Sequence, residues 1–352
     1  MTMDSTTPVR RKITLSDIAA GCDVSRATVS LVLRGSPLVN KHTRARVEEE
    51  LRRQGYVYNR AAANLRRRTS SSIALVLNDL ANPFFAEFAA GVDAAVGDAG
   101  FVTLLGCTSE SSTREQAVLG SLIEHGPAGI ILSPAEGSSA QQVLAAMGAQ
   151  TPLLLFNREL GGNLPEYAHW DLLILDNQRG TRLATEHLIS RGHRHIAFFG
   201  GHRDSSSCRQ RHAGYAEAMQ AAGLRIEPHW QVECAPTRLD AASQTAALFA
   251  ATPAPTAAVC YNDAVALGLM LGLNQRGLHP GRDFALTGFD DIAEASMSMP
   301  PLTTLSTAPR ERGRQAAELL LLRLREPSAD TRRTIAPVKL MVRESSCPPH
   351  TA

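Results

Sequence analysis

Residues 73–287 carry eight short apolar runs: Ile73–Leu77, Phe101–Leu105, Gly129–Leu132, Leu153–Phe156, Leu172–Leu175, His195–Phe199, Ala257–Tyr261 and Phe284–Thr287. Each holds four or five residues. That is too few for a buried helix and reads as a strand covered on both faces. Helical stripes lie between or after many of them. Phe84, Phe85, Phe88, Val92 and Val96 share one face, as do Val265, Leu269 and Gly272, and Ala316, Leu319, Leu320 and Leu324. Strand alternating with helix predicts doubly wound parallel sheets. Eight or nine strands over about 270 residues exceed the usual size of one sheet. Two α/β lobes are therefore expected, with Gly161–His169 as an excursion near their junction.

Upstream the period changes. Residues 12–55 predict three short helices. Thr14 with Asp17 forms a capping box ahead of the face made by Leu15, Ile18 and Ala19. Ser25 caps a second helix with Val29 and Val32 inward, and Asn40 caps a third with Val47 and Leu51 on one face. Gly21 breaks the first pair and Gly35-Ser36-Pro37 the second. Helix, tight turn, helix and a supporting third helix outline a helix-turn-helix domain.

Such domains place the start of the second helix in the DNA major groove. Here Arg26 is the candidate base reader, because its fork matches guanine O6 and N7. Ala27 and Thr28 suit a thymine methyl. Thr14, Ser25, Ser30, Asn40 and Thr43 bring short polar groups to helix N-termini, where phosphates bind.

The charge distribution agrees. Residues 1–69 hold 14 Lys/Arg against 6 Asp/Glu, a net +8, whereas the other 283 residues hold 22 against 28, a net −6. A basic head on a mildly acidic body predicts that the head meets a polyanion. No apolar stretch reaches the length of a membrane span, and the opening MTMDSTTPVRRKIT has no apolar leader core. A cytoplasmic protein with no membrane partner is expected. Its six dispersed cysteines are then reduced thiols. The segment 59–68 (NRAAANLRRR) has strong helix formers, one large apolar residue (Leu65) and a basic tail. It reads either as a flexible basic linker or as a helix that forms on DNA, with Leu65 wedged into the minor groove.

These runs together resemble the lactose-repressor/galactose-repressor (LacI/GalR) family of bacterial transcription regulators. The resemblance rests on Ile13-Thr-Leu-Ser-Asp-Ile-Ala19, Val24-Ser-Arg-Ala-Thr-Val-Ser30, Thr43-Arg-Ala-Arg-Val47, Gly55-Tyr56, Asn59, Ala62 and Leu65. It continues through Asn82-Pro83-Phe84-Phe85, Asp176-Asn177, Arg209-Gln-Arg211, Asn262-Asp263, Gly288-Phe-Asp290-Asp291 and Pro337–Arg343. Local runs such as Ser206–Arg211 and Val259–Asn262 are most similar to the maltose-regulon type of repressor. The resemblance implies an α/β chain with an N-terminal three-helix helix-turn-helix domain (1–59) and a hinge helix with linker (60–72). A two-lobed periplasmic-binding-protein-like body would follow at 73–347. Its first lobe would span about 73–172 and 306–332, its second about 176–303 and 335–347. It implies a homodimer on a near-palindromic operator, with Ser16, Leu31, Asn59 and the wedge Leu65 added to the DNA contacts. Tyr58 departs from the usual proline, and Leu31 replaces a polar reader with an apolar one.

In the body, Arg211, Asn262 and Asp290 each follow a strand or open a helix. They are therefore expected to converge in a cleft at strand carboxyl ends. By resemblance, Arg211 and Asp290 clamp the hydroxyls of a small effector, probed further by Asn262 and Asn157. Phe84 and Phe85 line the first-lobe side, unless they are plain core. A sugar or sugar derivative suits such residues. His187, His193 and His195 read as structural, so no metal is expected. The sequence lacks G-x-S-x-G, Walker and G-x-G-x-x-G motifs. Neither a cofactor nor catalysis is expected. The alternative class is a sugar-binding protein without a DNA role, against which the basic head speaks.

Overall fold

The computed structural model describes residues 13–56, 70–161, 169–250 and 252–347. The chain divides into two compact units, Met1–Thr69 and Ser70–Ala352. The first holds α1 (Leu15–Gly21), α2 (Arg26–Leu33) and α3 (Lys41–Gln54). All three caps form as the side chains dictate. Thr14 and Asp17 close a capping box on α1, Ser25 accepts from the Thr28 N–H, and Asn40 accepts from the Thr43 N–H. Ile18, Ala19, Val29, Val32 and Val47 meet in a small buried core, with half-buried Leu15 and Leu51 packed against it.

In the second unit come, in order, β1 (Ser72–Leu77), α4 (Pro83–Asp98), β2 (Val102–Cys107), α5 (Ser112–Glu124), β3 (Gly129–Leu132), α6 (Ala140–Met147), β4 (Leu153–Phe156) and β5 (Asp171–Leu175). Next are α7 (Asn177–Ser190), β6 (Ile196–Phe199), α8 (Ser206–Ala221), β7 (Gln231–Val232), α9 (Arg238–Gln244), β8 (Ala257–Cys260), α10 (Asp263–Gln275), β9 (Ala285–Thr287) and α11 (Ala293–Met297). The chain ends with β10 (Thr304–Ser306), α12 (Pro309–Arg325), β11 (Arg333–Ala336) and β12 (Lys339–Met341).

Two parallel sheets result. The first has the order β11-β5-β4-β3-β1-β2, the second β7-β6-β8-β9. In β1, Ile73, Leu75 and Leu77 pack on one side with Phe88, Val92 and Ala316. Ala74 and Val76 pack on the other with Leu119 and Val143. Burial on both faces is why the run is apolar without alternation. Helices α4 and α12 close over the first sheet because two glycines let their backbones touch. A Cβ at Gly91 would stand 2.0 Å from the Arg310 carbonyl, and one at Gly313 would stand 2.1 Å from that of Phe88. All six cysteines are free, and four are buried.

The lobe boundaries differ from those drawn on the sequence. The first sheet keeps β5 through Leu175 and takes in Arg333–Ala336, registered on Leu172–Leu175, so it extends past the expected limits of 172 and 332. Strand β11 is an edge strand, mostly exposed, and carries no apolar run to announce it. Within the expected final strand, Lys339–Met341 pairs antiparallel with Thr304–Ser306 in a separate two-stranded ribbon.

Candidate functional site

On the head, the start of α2 presents Arg26 and Ala27 to solvent, with Thr28, Ser30 and Leu31 half-buried. Ser16 is exposed and Thr43 half-buried. Three of the expected phosphate groups are already employed within the fold. The Thr14 hydroxyl bonds Asp17 Oδ2 at 2.7 Å, Ser25 Oγ lies 2.9 Å from Thr28 Oγ1, and Asn40 Oδ1 caps α3. Arg44 and Arg46 brace the turns by donating to the carbonyls of Ser36 (2.6 Å) and Cys22 (2.7 Å). Among these groups, Arg26 has no hydrogen bond or ion pair within the described residues. Its fork is available to a partner. Asn59 and Leu65, with the rest of the expected hinge, lie outside the described residues.

In the body, loops that follow strands of both sheets surround a cavity of about 320 Å³. All six expected effector residues line it: Phe84, Phe85, Asn157, Arg211, Asn262 and Asp290. Phe84 and Phe85 are also core. They meet edge to face at 5.0 Å, and Phe84 stacks on Phe156 at 6.1 Å. Arg211 enters from the second turn of α8, not from a strand end or a helix start as expected. Its guanidinium lies 3.7 Å from the centre of the Phe289 ring and donates to Asn177 Oδ1 (2.8 Å) and the Tyr261 carbonyl (2.6 Å). Asp290 faces it at 3.9 Å, too far for a hydrogen bond. Asn262 caps α10 through Oδ1, which accepts from the Val265 N–H.

The loop that carries Asp290 is pinned from beneath. Asp263 Oδ2 accepts from the Ile292 N–H at 2.9 Å, and its Oδ1 takes the Thr304 hydroxyl. Asp290 itself bonds the Leu305 carbonyl through its N–H. Burial pushes the Asp263 carboxyl up to about 6, against the pull of those two donors. A carboxyl raised in this way helps the fold fully below its unfolded value and loses that help as pH climbs through 6. Unfolding in urea should therefore show wild-type stability falling by on the order of 2–3 kcal/mol between pH 4 and pH 7 from this group. Asp263→Asn should flatten that slope, and an unchanged slope would show that the carboxyl is not the titrating group.

Sequence reasoning missed a second set of lining residues. Arg158 is buried and grips Glu110 with both guanidinium arms, at 2.6 and 3.0 Å. Glu136 bonds His202 at 2.8 Å, and the Tyr261 hydroxyl lies 2.9 Å from Ser207 Oγ. Each of Glu110, Glu136, Arg158, His202 and Tyr261 ends or closely follows an apolar run. Polar residues just past each strand were the available signal. Two buried acceptors in the cavity wall, Asn157 Oδ1 and Glu136 Oε1, have no partner among the described residues.

His187 and His193 are held within the fold. His193 uses both ring nitrogens, on Thr256 Oγ1 (2.9 Å) and the Cys347 carbonyl (2.8 Å), and His187 bonds Ser346. They tie residues 346–347 to the second lobe. No group of three His, Cys, Asp or Glu side chains among the described residues is placed to hold a metal ion. No helix of the described residues is long and apolar enough to cross a membrane.

Two family profiles match the chain. That of the bacterial regulatory proteins of the lacI family covers residues 14–59, and that of a periplasmic binding protein-like domain covers residues 185–346. The maltose regulon regulatory protein MalI of Escherichia coli K12 is 31% identical over 340 residues, 94% of this chain and 98% of the relative. The ribose operon repressor of Haemophilus influenzae is 30% identical over 335 residues, again 94% and 98%. Among solved structures, the lac repressor dimer bound to operator and the anti-inducer ONPF superposes with a TM-score of 0.84 at 26% identity, covering 96% of this chain and 100% of that one. The complex of the regulator CelR with cellobiose gives 0.71 at 30% identity, covering 95% and 99%.

Proposed function

The chain belongs to the lacI family of bacterial regulatory proteins, and on that premise we propose that it is a cytoplasmic transcriptional repressor controlled by a small polyhydroxylated effector. Two copies read a near-palindromic operator, each through the start of α2. Arg26 is the base reader, with Ala27, Thr28 and Leu31 beside it. Thr14, Ser16, Ser25, Ser30, Asn40 and Thr43 set the register on the phosphates, and Asn59 and Leu65 complete the contact from the hinge.

The observation that carries the effector reading is the surplus of acceptors in the cleft. Asn157 Oδ1 and Glu136 Oε1 are buried and unpartnered within the described residues, and the Asp290 carboxylate has only a distant arginine. Buried acceptors call for donors, and a sugar offers a hydroxyl on nearly every carbon. Phe84 and Phe85 supply the apolar wall for its C–H face. Relatives and neighbours named for maltose regulation, ribose and cellobiose support the class. The buried Arg158 is spent on Glu110, and the reading assigns the cleft binding and no turnover. Control follows if the effector prefers one arrangement of the lobes and the operator the other. We assign it the role of an inducer, which lowers operator affinity.

Selection of bound sites from random duplex DNA, followed by a screen of mono- and disaccharides for release, tests both halves. The expected result is salt-dependent binding to a near-palindrome that one sugar class weakens. Sugar binding with no affinity for any duplex would leave a plain binding protein. Arg26→Ala should weaken the selected site by about 10- to 100-fold, in line with the 1–3 kcal/mol of a bidentate base contact. Binding to random duplex at the same salt should change little. Equal losses on both would reduce Arg26 to a phosphate contact.

A further inference from the structure

We propose that Glu136 and His202 form a latch between the two lobes, and that its strength sets how often the cleft is closed. The inference rests on reading the cleft as the effector site. It goes beyond that reading, which uses only the Glu136 Oε1 acceptor and gives His202 no role.

Glu136 stands on the loop after β3 in the first lobe, and His202 on the loop after β6 in the second. Their side chains meet across the cavity at 2.8 Å, Glu136 Oε2 to His202 Nδ1. Each partner is aimed by its backbone. Gly200 and Gly201 precede His202 with φ of +86° and +76°. A Cβ at Gly201 would come within 2.9 Å of the Tyr261 ring and Cys208 Sγ, so the turn is both left-handed and tightly seated. Gly137, with φ +71°, follows Glu136. The Glu136 N–H donates to Glu110 Oε2 at 3.3 Å, and Arg158 holds that same oxygen. The first-lobe half of the latch is thus fixed before the second lobe arrives.

The other contacts of this kind are weaker or nearer the junction. Arg158 reaches Ser207 Oγ and the Tyr261 hydroxyl only at 3.4 Å each. The Glu159 N–H bonds Ser206 Oγ at 2.9 Å, directly beyond β4. The pair at the rim is short and joins a carboxylate to an imidazole, the stronger kind of hydrogen bond. His202 remains 40% exposed, so water competes and the latch is light enough to open. Opening strands little on the second-lobe side, because the imidazole is already partly in solvent.

The test needs no effector. Spin labels are placed on cysteines introduced in the full-length protein at exposed Gln141 of the first lobe and Ala222 of the second, with Cys107 and Cys347 changed to Ser. The distance distribution reads the closed and open populations. His202→Gln and Glu136→Gln are each expected to raise the open-to-closed ratio by about 2- to 10-fold, the range of a partly exposed charged contact. The double variant should add nothing to either single one. A charge-reversed pair, His202→Glu with Glu136→His, should restore the closed population and so guard against a trivial folding defect. Unchanged distributions, or additive effects in the double variant, would overturn the latch. Failure of the repressor reading shows up separately, as absent duplex binding in a protein whose lobes still respond to these substitutions.

Discussion

Arg211→Ala should lower the stability of the body by about 3–5 kcal/mol, read as a lower urea midpoint, and abolish the response to the effector. The size follows from what the guanidinium leaves behind. It is only 3% exposed, sandwiched at 3.7 Å from the Phe289 ring and 4.8 Å from that of Tyr261. Without it, Asp290 is a buried carboxyl with no cation, the Tyr261 carbonyl loses its donor, and a side-chain-sized void opens beneath two aromatic rings. Arg211→Met refills the void but restores neither charge nor donors. It should recover the smaller part of the loss. Full recovery by Met would mean that packing, not charge, holds this place.

Asp290→Asn should do nearly the reverse. Burial pushes the Asp290 carboxyl well above its ordinary range, with Arg211 pulling the other way. A carboxyl raised on folding supports the fold below its unfolded pKa and loses that support as pH rises through the folded value. The charged carboxylate is thus the form that burial disfavours, and an amide of the same shape forfeits no stabilising charge. Stability should hold or rise, and the stability–pH profile should flatten. Effector binding should still fall by about 30- to 1000-fold, because a side chain with two acceptor oxygens for ligand hydroxyls becomes an amide with one acceptor and one donor group. Titration calorimetry with the sugar found in the release screen measures this directly. A variant that binds that sugar normally would remove Asp290 from the clamp. Opposite stability effects from two members of one ion pair would mark Asp290 as a residue kept for its ligand and Arg211 as one the fold also needs.

Much of this was legible in the residues. The unbroken apolar runs announced the parallel strands, though the run at Phe101–Leu105 forms the edge strand β2, which is half-exposed and not covered on both faces as expected. The side-chain oxygens of Thr14, Ser25 and Asn40 announced three helix starts. Asn157, Asn262 and Asp290 were legible because a polar residue just after a buried strand has few places to point. Strand β11 was not, since an exposed edge strand needs no apolar sequence. The set Glu110, Glu136, Arg158 and His202 showed no more than its place past the strands. Their meaning lies in pairings across 48 and 66 positions of chain, which no local period records. Arg211 lines the cavity as expected, but its place on a helix side was not legible, because the direction of a long flexible side chain is settled by the rings it stacks on.

One feature of the topology bears on how the protein comes into being. The first sheet is begun by residues 72–175 and completed only by Arg333–Ala336, with Pro309–Arg325 lying over it. Every strand of the second sheet is encoded between these two pieces. During synthesis, the second lobe's sheet can be assembled while the first still lacks a strand and exposes the β3 and β4 faces that α12 will cover. The nascent chain therefore carries an unfinished, apolar half-domain for well over a hundred residues of translation. A ribosome stalled between residues 180 and 305 should hold a head able to fold, a second lobe still being added strand by strand up to Ala285–Thr287, and a first lobe that is a target for chaperones.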